Sequence, residues 1–371
     1  MVSKMKRQEH IKIRDKDLQL PAFLPDATLG YVRAVDTQGL LAVNIQALVM
    51  NSFHLMQKPG SSTIRAFNGL HNFTGWPGLI ITDSGGFQAY SLIHESTRFG
   101  SLTDHGIIFR PEGKNRKFIL TPEKSIQRQI SYDSDAVICL DDCTHVESDR
   151  ETQEISVKRT LNWAKRCKQE YLHQLSLRQI DEAQRPLIFG VVQGGGYPDL
   201  RRKCAEGLLE IGFDGFGYGG WPLDSNGDLL EEMVALTREL IPTEFPMHAL
   251  GIGHPYNLMR TYQLGYDIFD CALPTRDARH GRLMRFNVSA DTKLTEESRW
   301  MEYVYIQDKK YIKDNRPISK YCDCPICQNY SLGYLHHLFK TSDWLYQRLA
   351  TLHNLRFMTQ LTERLRDDEN R

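Results

Sequence analysis

Three aspartates close short apolar runs in this chain, each followed by residues that let the backbone turn. They are Asp83 in "LIITDSGGFQ", Asp141 in "DAVICLDDCT" and Asp270 in "DIFDCALPTR". Alone, each reads as a turn or cap residue, since Asp, Ser and Gly favour tight turns. Gathered at one rim they mean something else. Carboxylates that share a pocket shift each other's pKa, so that one stays ionised while another keeps a proton. Cleavage of a glycosidic bond needs that division of labour, with one carboxylate as nucleophile and the other as acid and then base. Gln193, closing "LIFGVVQ", and Gly219 and Gly220, closing "FDGFGYGG", end runs of the same kind.

Directly after Asp270 comes "RDARHGRLMR", with Arg276, Arg279, Arg282 and Arg285. Such a run reads either as a solvated loop or as a phosphate contact, because guanidinium forks match phosphate oxygens. The chain carries 46 basic and 46 acidic residues, so net charge makes no general case for nucleic acid and the basic stretch is a local feature. A second cluster is "YCDCPICQNY", where Cys322, Cys324 and Cys327 lie close enough to converge on one ion. A structural zinc site takes four nitrogen or sulfur ligands, so a fourth is required. His336, His337 and His353 are the candidates, and spacing alone does not choose among them.

The elements that would position these groups recur. Short apolar, β-branched runs at 20–28, 46–52, 79–84, 135–142, 187–195, 213–220, 247–255 and 267–276 alternate with longer amphipathic stretches. Near-continuous apolar strands predict a parallel sheet buried on both faces. The stretch following Ser148 and Asp149, its possible N-caps, predicts a helix with Ile155, Leu161, Trp163 and Tyr171 on its pattern. Another helix is expected to end on Gly212. Eight strands, with polar residues at the C-terminal ends of many of them, favour a (β/α)8 TIM barrel over a doubly wound sheet. The alternation fails beyond about residue 285. The expected organisation is a barrel core over 1–285 and a zinc-binding subdomain with C-terminal helices over 286–371.

At 41% apolar and 25% charged residues, the composition is that of a globular protein. No apolar run approaches the roughly 20 residues that span a bilayer. The charged N-terminal stretch does not read as a secretory signal, and eight cysteines in such a chain do not suggest a disulfide framework. A cytoplasmic protein without membrane contact is expected. There is no Walker or Rossmann fingerprint, so neither ATP nor a redox cofactor is called for.

Taken together, "DSGGFQ", "LTPEKSI", "PLIFGVVQGG", "FDCALPTR", and "CDCPIC" with the distant "LHNL" resemble the tRNA-guanine transglycosylase family. The resemblance runs from about residue 20 to about 365. It implies a zinc-containing TIM barrel that exchanges a guanine in tRNA for a 7-deazaguanine. By position, Asp270 would be the nucleophile on ribose C1′ and Asp83 the general acid/base. Asp141 and Gln193, with the backbone at Gly219 and Gly220, would read the base edge, and Phe87 with Leu250 would sandwich the ring. Cys143 matches the bacterial form of this pocket. Structural Zn2+ would be held by Cys322, Cys324, Cys327 and His353. Arg276 and Arg279, with Arg282 of the same run, would meet the tRNA anticodon loop, and a homodimer is expected.

The chain departs from the family pattern after Gly220, where it reads "GGWPLDS". Trp221 and Pro222 stand where the segment should face the 7-substituent of the incoming base. The glutamate that helps place the aminomethyl group of preQ1 falls on Ser225, with Asp224 beside it. The expected reaction is exchange of guanine 34 in GUN-anticodon tRNAs for preQ1. Insertion of queuine or a related base, a non-catalytic accessory subunit and a DNA-acting relative are the alternatives. "LPDATLG" near the N-terminus also differs from the usual bacterial wording.

Overall fold

A computed structural model of the chain describes residues 7–95, 100–110, 117–145, 147–224, 226–295 and 297–370. Eight apolar runs form parallel strands: β1 (Ala22–Pro25), β2 (Ala47–Asn51), β3 (Leu79–Asp83), β4 (Ala136–Ile138), β5 (Leu187–Val192), β6 (Gly215–Tyr218), β7 (Met247–Ala249) and β8 (Ile268–Cys271). Each pairs with its sequence neighbour, and β8 returns to pair with β1. A parallel bridge between Asp26 and Val49, with the Ala27 N–H donating to the Val49 carbonyl at 2.8 Å, joins β1 to β2. The sheet is thereby a closed (β/α)8 barrel, as the alternation predicts.

The strand period of two sorts side chains between lumen and shell. Leu79 and Ile81 of β3 join Leu24, Val49, Ile138 and Val191 in one inner cluster. The intervening residues, such as Ile80 and Val137, pack outward against the helices. An antiparallel hairpin, His10–Ile13 with Lys16–Gln19, adds Ile11, Ile13 and Leu18 to the inner cluster and plugs the end of the barrel away from the strand C-termini.

The long helix Arg150–Arg178 begins on Asp149, whose carboxylate accepts from the Thr152 N–H. Trp163 and Tyr171 are buried on it as expected, but Ile155 is exposed. Val157, Ala164 and Cys167 take the core positions instead, because the buried stripe follows the barrel surface through residues that the pattern undervalued. Gly212 ends the helix Pro198–Ile211 at φ +81°. A three-stranded antiparallel sheet, Gly100–Thr103, Gly106–Phe109 and Phe118–Leu120, is inserted between β3 and β4 and does not follow the alternation. After the barrel, strand Arg282–Phe286 pairs with Met301–Tyr305. The helix Trp344–Asn370 then packs back on the barrel, where Asn354 accepts from the Met284 N–H at 3.0 Å and donates to the Pro274 carbonyl at 3.0 Å.

Candidate functional site

The alternation that buries Leu79 and Ile81 carries Asp83 to the mouth of the lumen, and the same step carries Asn51 past Val49 and Asp270 past Ile268. These residues line one cleft of about 450 Å³ at the C-terminal ends of the strands. Asp83 is held by three donors: Asn51 Nδ2 at 2.6 Å on one oxygen, and the N–H groups of Ser52 and Gly85, each at 3.1 Å, on the other. Asn51 is itself fixed, since its Oδ1 accepts from the His54 N–H at 2.9 Å. Gly85 sits at φ +79°, and a Cβ there would lie 2.9 Å from the Phe53 Cβ. Only glycine fits that turn.

Burial raises the Asp83 pKa to about 7 against the pull of the two backbone donors, and the charges of Asp270 and Asp26 push the same way. A carboxyl poised there can give a proton and take it back near neutrality. Across the cleft, Asp270 Oδ1 lies 2.8 Å from His248 Nε2 and 3.1 Å from the Gly251 N–H.

Asp141 enters three residues after the end of β4 and accepts from Gln193 Nε2 at 2.6 Å. Its burial lifts the pKa to about 6, against the hydrogen bond from Gln193, so it is mostly ionised at neutral pH. The Gln193 side-chain oxygen is buried without a hydrogen-bond partner among the described residues. A Cβ on Gly219 would come within 2.6 Å of Gln193 Nε2, so the glycine makes room for the amide. Beneath them, buried Arg201 donates to the carbonyls of Gly195 at 2.8 Å, Val192 at 3.2 Å and Gly219 at 3.3 Å. Cys143 lines the same cleft, and burial pushes its thiol pKa up, keeping it neutral. The pair Asp141–Gln193 thus offers acceptors and an amide to the edge of a planar ring.

Phe87 and Leu250 both line the cleft. The ring stacked on Phe87, however, is Trp221, at 5.8 Å and 29°, and His145 lies 6.1 Å beyond it. Asp224 is turned away from this function. Its Oδ1 accepts from the N–H groups of Asn226 and Asp228, both at 2.9 Å, in a surface turn. Ser225 lies outside the described residues.

The arginine run divides. Arg276 is exposed, and the Arg279 pKa is lowered by burial and by the neighbouring charges of Arg33 and Arg276, which marks a basic cluster. Arg282 instead binds Asp277 at 2.8 Å and lies 4.5 Å over the Tyr303 ring. Arg285 pairs with Glu302 at 2.9 Å.

At the C-terminal end, the Sγ atoms of Cys322, Cys324 and Cys327 lie 3.8, 3.5 and 3.4 Å from His353 Nδ1. Tetrahedral zinc with Zn–S near 2.3 Å and Zn–N near 2.0 Å places sulfur and nitrogen about 3.5 Å apart. The four groups therefore fit a zinc ion, and His353, rather than His336 or His337, completes the set. His353 Nε2 is 2.7 Å from the Met284 carbonyl, which fixes the tautomer that leaves Nδ1 free to ligate.

Sequence reasoning missed Asn51 as a partner of Asp83, Asp26 as a fourth carboxylate lining the cleft, and His248 behind Asp270. Asn51 stood at a strand end in the expected pattern, which was the available signal. His248 lies inside a strand and gave none.

Fold and rim together define a (β/α)8-barrel protein with a carboxylate-lined cleft at its strand C-termini and a Cys3His metal cradle beside the barrel. No helix among the described residues is long and apolar enough to cross a membrane. The family model described as queuine tRNA-ribosyltransferase matches residues 3–368. A queuine tRNA-ribosyltransferase from Psychrobacter cryohalolentis is 36% identical over 97% of this chain and 89% of its own. Those from a further Psychrobacter species and from Caldanaerobacter subterraneus are 35% and 36% identical, over 98% and 94% of this chain and 90% and 86% of theirs. The chain belongs to the queuine tRNA-ribosyltransferase family.

Proposed function

We propose that the protein is a tRNA-guanine transglycosylase that exchanges guanine 34 of GUN-anticodon tRNAs for the 7-deazaguanine preQ1. The observation that carries this reading is the pairing of Asp83, poised near neutrality, with Asp270 at one mouth. In the first half-reaction an Asp270 oxygen bonds to ribose C1′ as the C1′–N9 bond breaks. The electron pair leaves on guanine, which takes a proton from Asp83. In the second half, Asp83 takes the proton of the incoming base, whose N9 displaces the Asp270 ester. Splitting one substitution into two explains exchange with retention.

Asp141 accepts from the N1–H and amino group of guanine, while the Gln193 amide, Cys143 and the backbone of Gly219 and Gly220 complete the base site. Phe87 and Leu250 supply faces for the ring, and the target base leaves its stack cheaply in a single-stranded loop. Arg276 and Arg279 meet the flanking phosphates. Arg282 is assigned to holding the loop through Asp277. Zinc at Cys322, Cys324, Cys327 and His353 is structural, because four protein ligands leave no open position. We place the barrel core at 1–285 and the zinc subdomain at 286–371, in a cytoplasmic homodimer.

A second reading, insertion of queuine or a related base, is favoured by two observations. Asp224 is bound into its own turn, and Trp221 covers Phe87. Competition among guanine, preQ1 and queuine for exchange into labelled tRNA, read by mass spectrometry of the digest, tests both. Exclusive use of preQ1 supports the first reading, and preference for queuine the second. Activity on single-stranded DNA but not on tRNA would overturn both.

A further inference from the structure

Below its mouth the barrel lumen is apolar, with Leu24, Val49, Ile81, Ile138, Val191 and Ile268 in one buried cluster. His248 of β7 stands in that layer, in register with Gly217 of β6 on one side and Ile268 of β8 on the other, and is 1% exposed. An imidazole in such surroundings is unfavourable unless its nitrogens find partners. Nε2 lies 2.8 Å from Asp270 Oδ1, while Nδ1 is buried with no hydrogen-bond partner among the described residues. A ring nitrogen this close to a carboxylate oxygen, itself an acceptor, must carry a proton, so Nε2–H donates. The Gly251 N–H donates to the same oxygen at 3.1 Å. Oδ1 thus accepts two hydrogen bonds, and Oδ2 accepts none among the described residues.

We propose that His248 is a positioning residue: with the Gly251 N–H it pins Oδ1 of Asp270 and turns Oδ2 toward ribose C1′. The inference rests on the transglycosylase reading. When Oδ2 bonds to C1′, the base departs with the C1′–N9 pair, and Oδ1 becomes the ester carbonyl, still held by both donors. When the incoming N9 attacks, the pair of the C1′–Oδ2 bond returns to the carboxylate, and the same donors stabilise it as a leaving group. One buried imidazole thereby serves both halves without touching the substrate.

The test compares guanine-exchange kinetics on tRNA for wild type, His248→Leu and His248→Gln. Leucine suits the apolar lumen and removes the donor, whereas glutamine keeps a neutral N–H that reaches Asp270. We expect His248→Leu to lose about 100-fold in kcat, as expected for a misplaced reacting group, with KM for guanine within about twofold and an undiminished thermal midpoint. His248→Gln should recover most of that loss. Wild-type kcat in His248→Leu overturns the proposal. So does a folded His248→Gln that is as slow as the leucine variant. If wild type itself exchanges no guanine, the transglycosylase reading fails first and this inference with it.

Discussion

Asp83→Asn removes a carboxyl that the fold holds where ionisation is unfavourable. The pKa of Asp83 rises from 3.8 to about 7, with burial as the main cause. That difference of about 3 units, at 1.36 kcal/mol each, separates its two protonation states by about 4 kcal/mol. The native pKa lies above the unfolded one, so the native state binds this proton more tightly. The stabilisation is fully present below about pH 4 and is lost as pH rises through about 7. Asparagine keeps the outline and has no proton to lose. Relative to wild type, Asp83→Asn should therefore gain stability with rising pH, by about 2–3 kcal/mol between pH 5 and pH 8. Urea unfolding of both proteins across that range reads the difference. Guanine exchange by the variant should fall by about 100-fold or more, because the departing base has lost its proton donor. Parallel stability–pH curves for the two proteins would refute the claim that burial holds a proton on Asp83.

The pH profile of exchange should fall off near pH 7 on its alkaline side, as Asp83 ionises, and Asp26→Asn should move that limb downward, since the Asp26 charge raises the Asp83 pKa; an upward shift would contradict this electrostatic account. Arg276→Ala and Arg279→Ala should each raise KM for tRNA and make its logarithmic salt dependence shallower by about 0.7, the single-strand value per phosphate contact. Arg282→Ala should instead lower the thermal midpoint, because Arg282 is tied to Asp277. Equal effects of the three on KM would show that the run acts as one patch. Elemental analysis should find one zinc per chain, lost in Cys324→Ser together with several degrees of thermal stability, and full zinc in that variant would exclude the Cys3His site.

The barrel was legible because each strand announces itself as an apolar run that ends in a polar or glycine residue. The period of two then carries Asp83 and Asp270 to one cleft and sets Gln193 against Asp141. The cysteines announced a metal site by spacing, but the choice of His353 needed the helix Trp344–Asn370 folded back beside them. His248 was invisible for a physical reason. It occupies a position that alternation reserves for aliphatic residues, and its partner lies on the neighbouring strand, 22 residues further on. The pairing of Trp221 with Phe87 was hidden similarly, because the helix Gly86–Glu95 after β3 and the loop after β6 meet only once the barrel has closed. Ile155 shows the opposite error, an apolar residue placed by pattern in a core that the real helix presents elsewhere.

The most direct measurement is the mass of the enzyme after incubation with a GUN-anticodon tRNA, rapid acid quenching, nuclease trimming and peptide mapping. The account predicts a ribosyl adduct on the peptide that contains Asp270, absent in Asp270→Asn and discharged by added guanine. Exchange of labelled guanine without any such adduct, or an adduct mapped to Asp83, would contradict it.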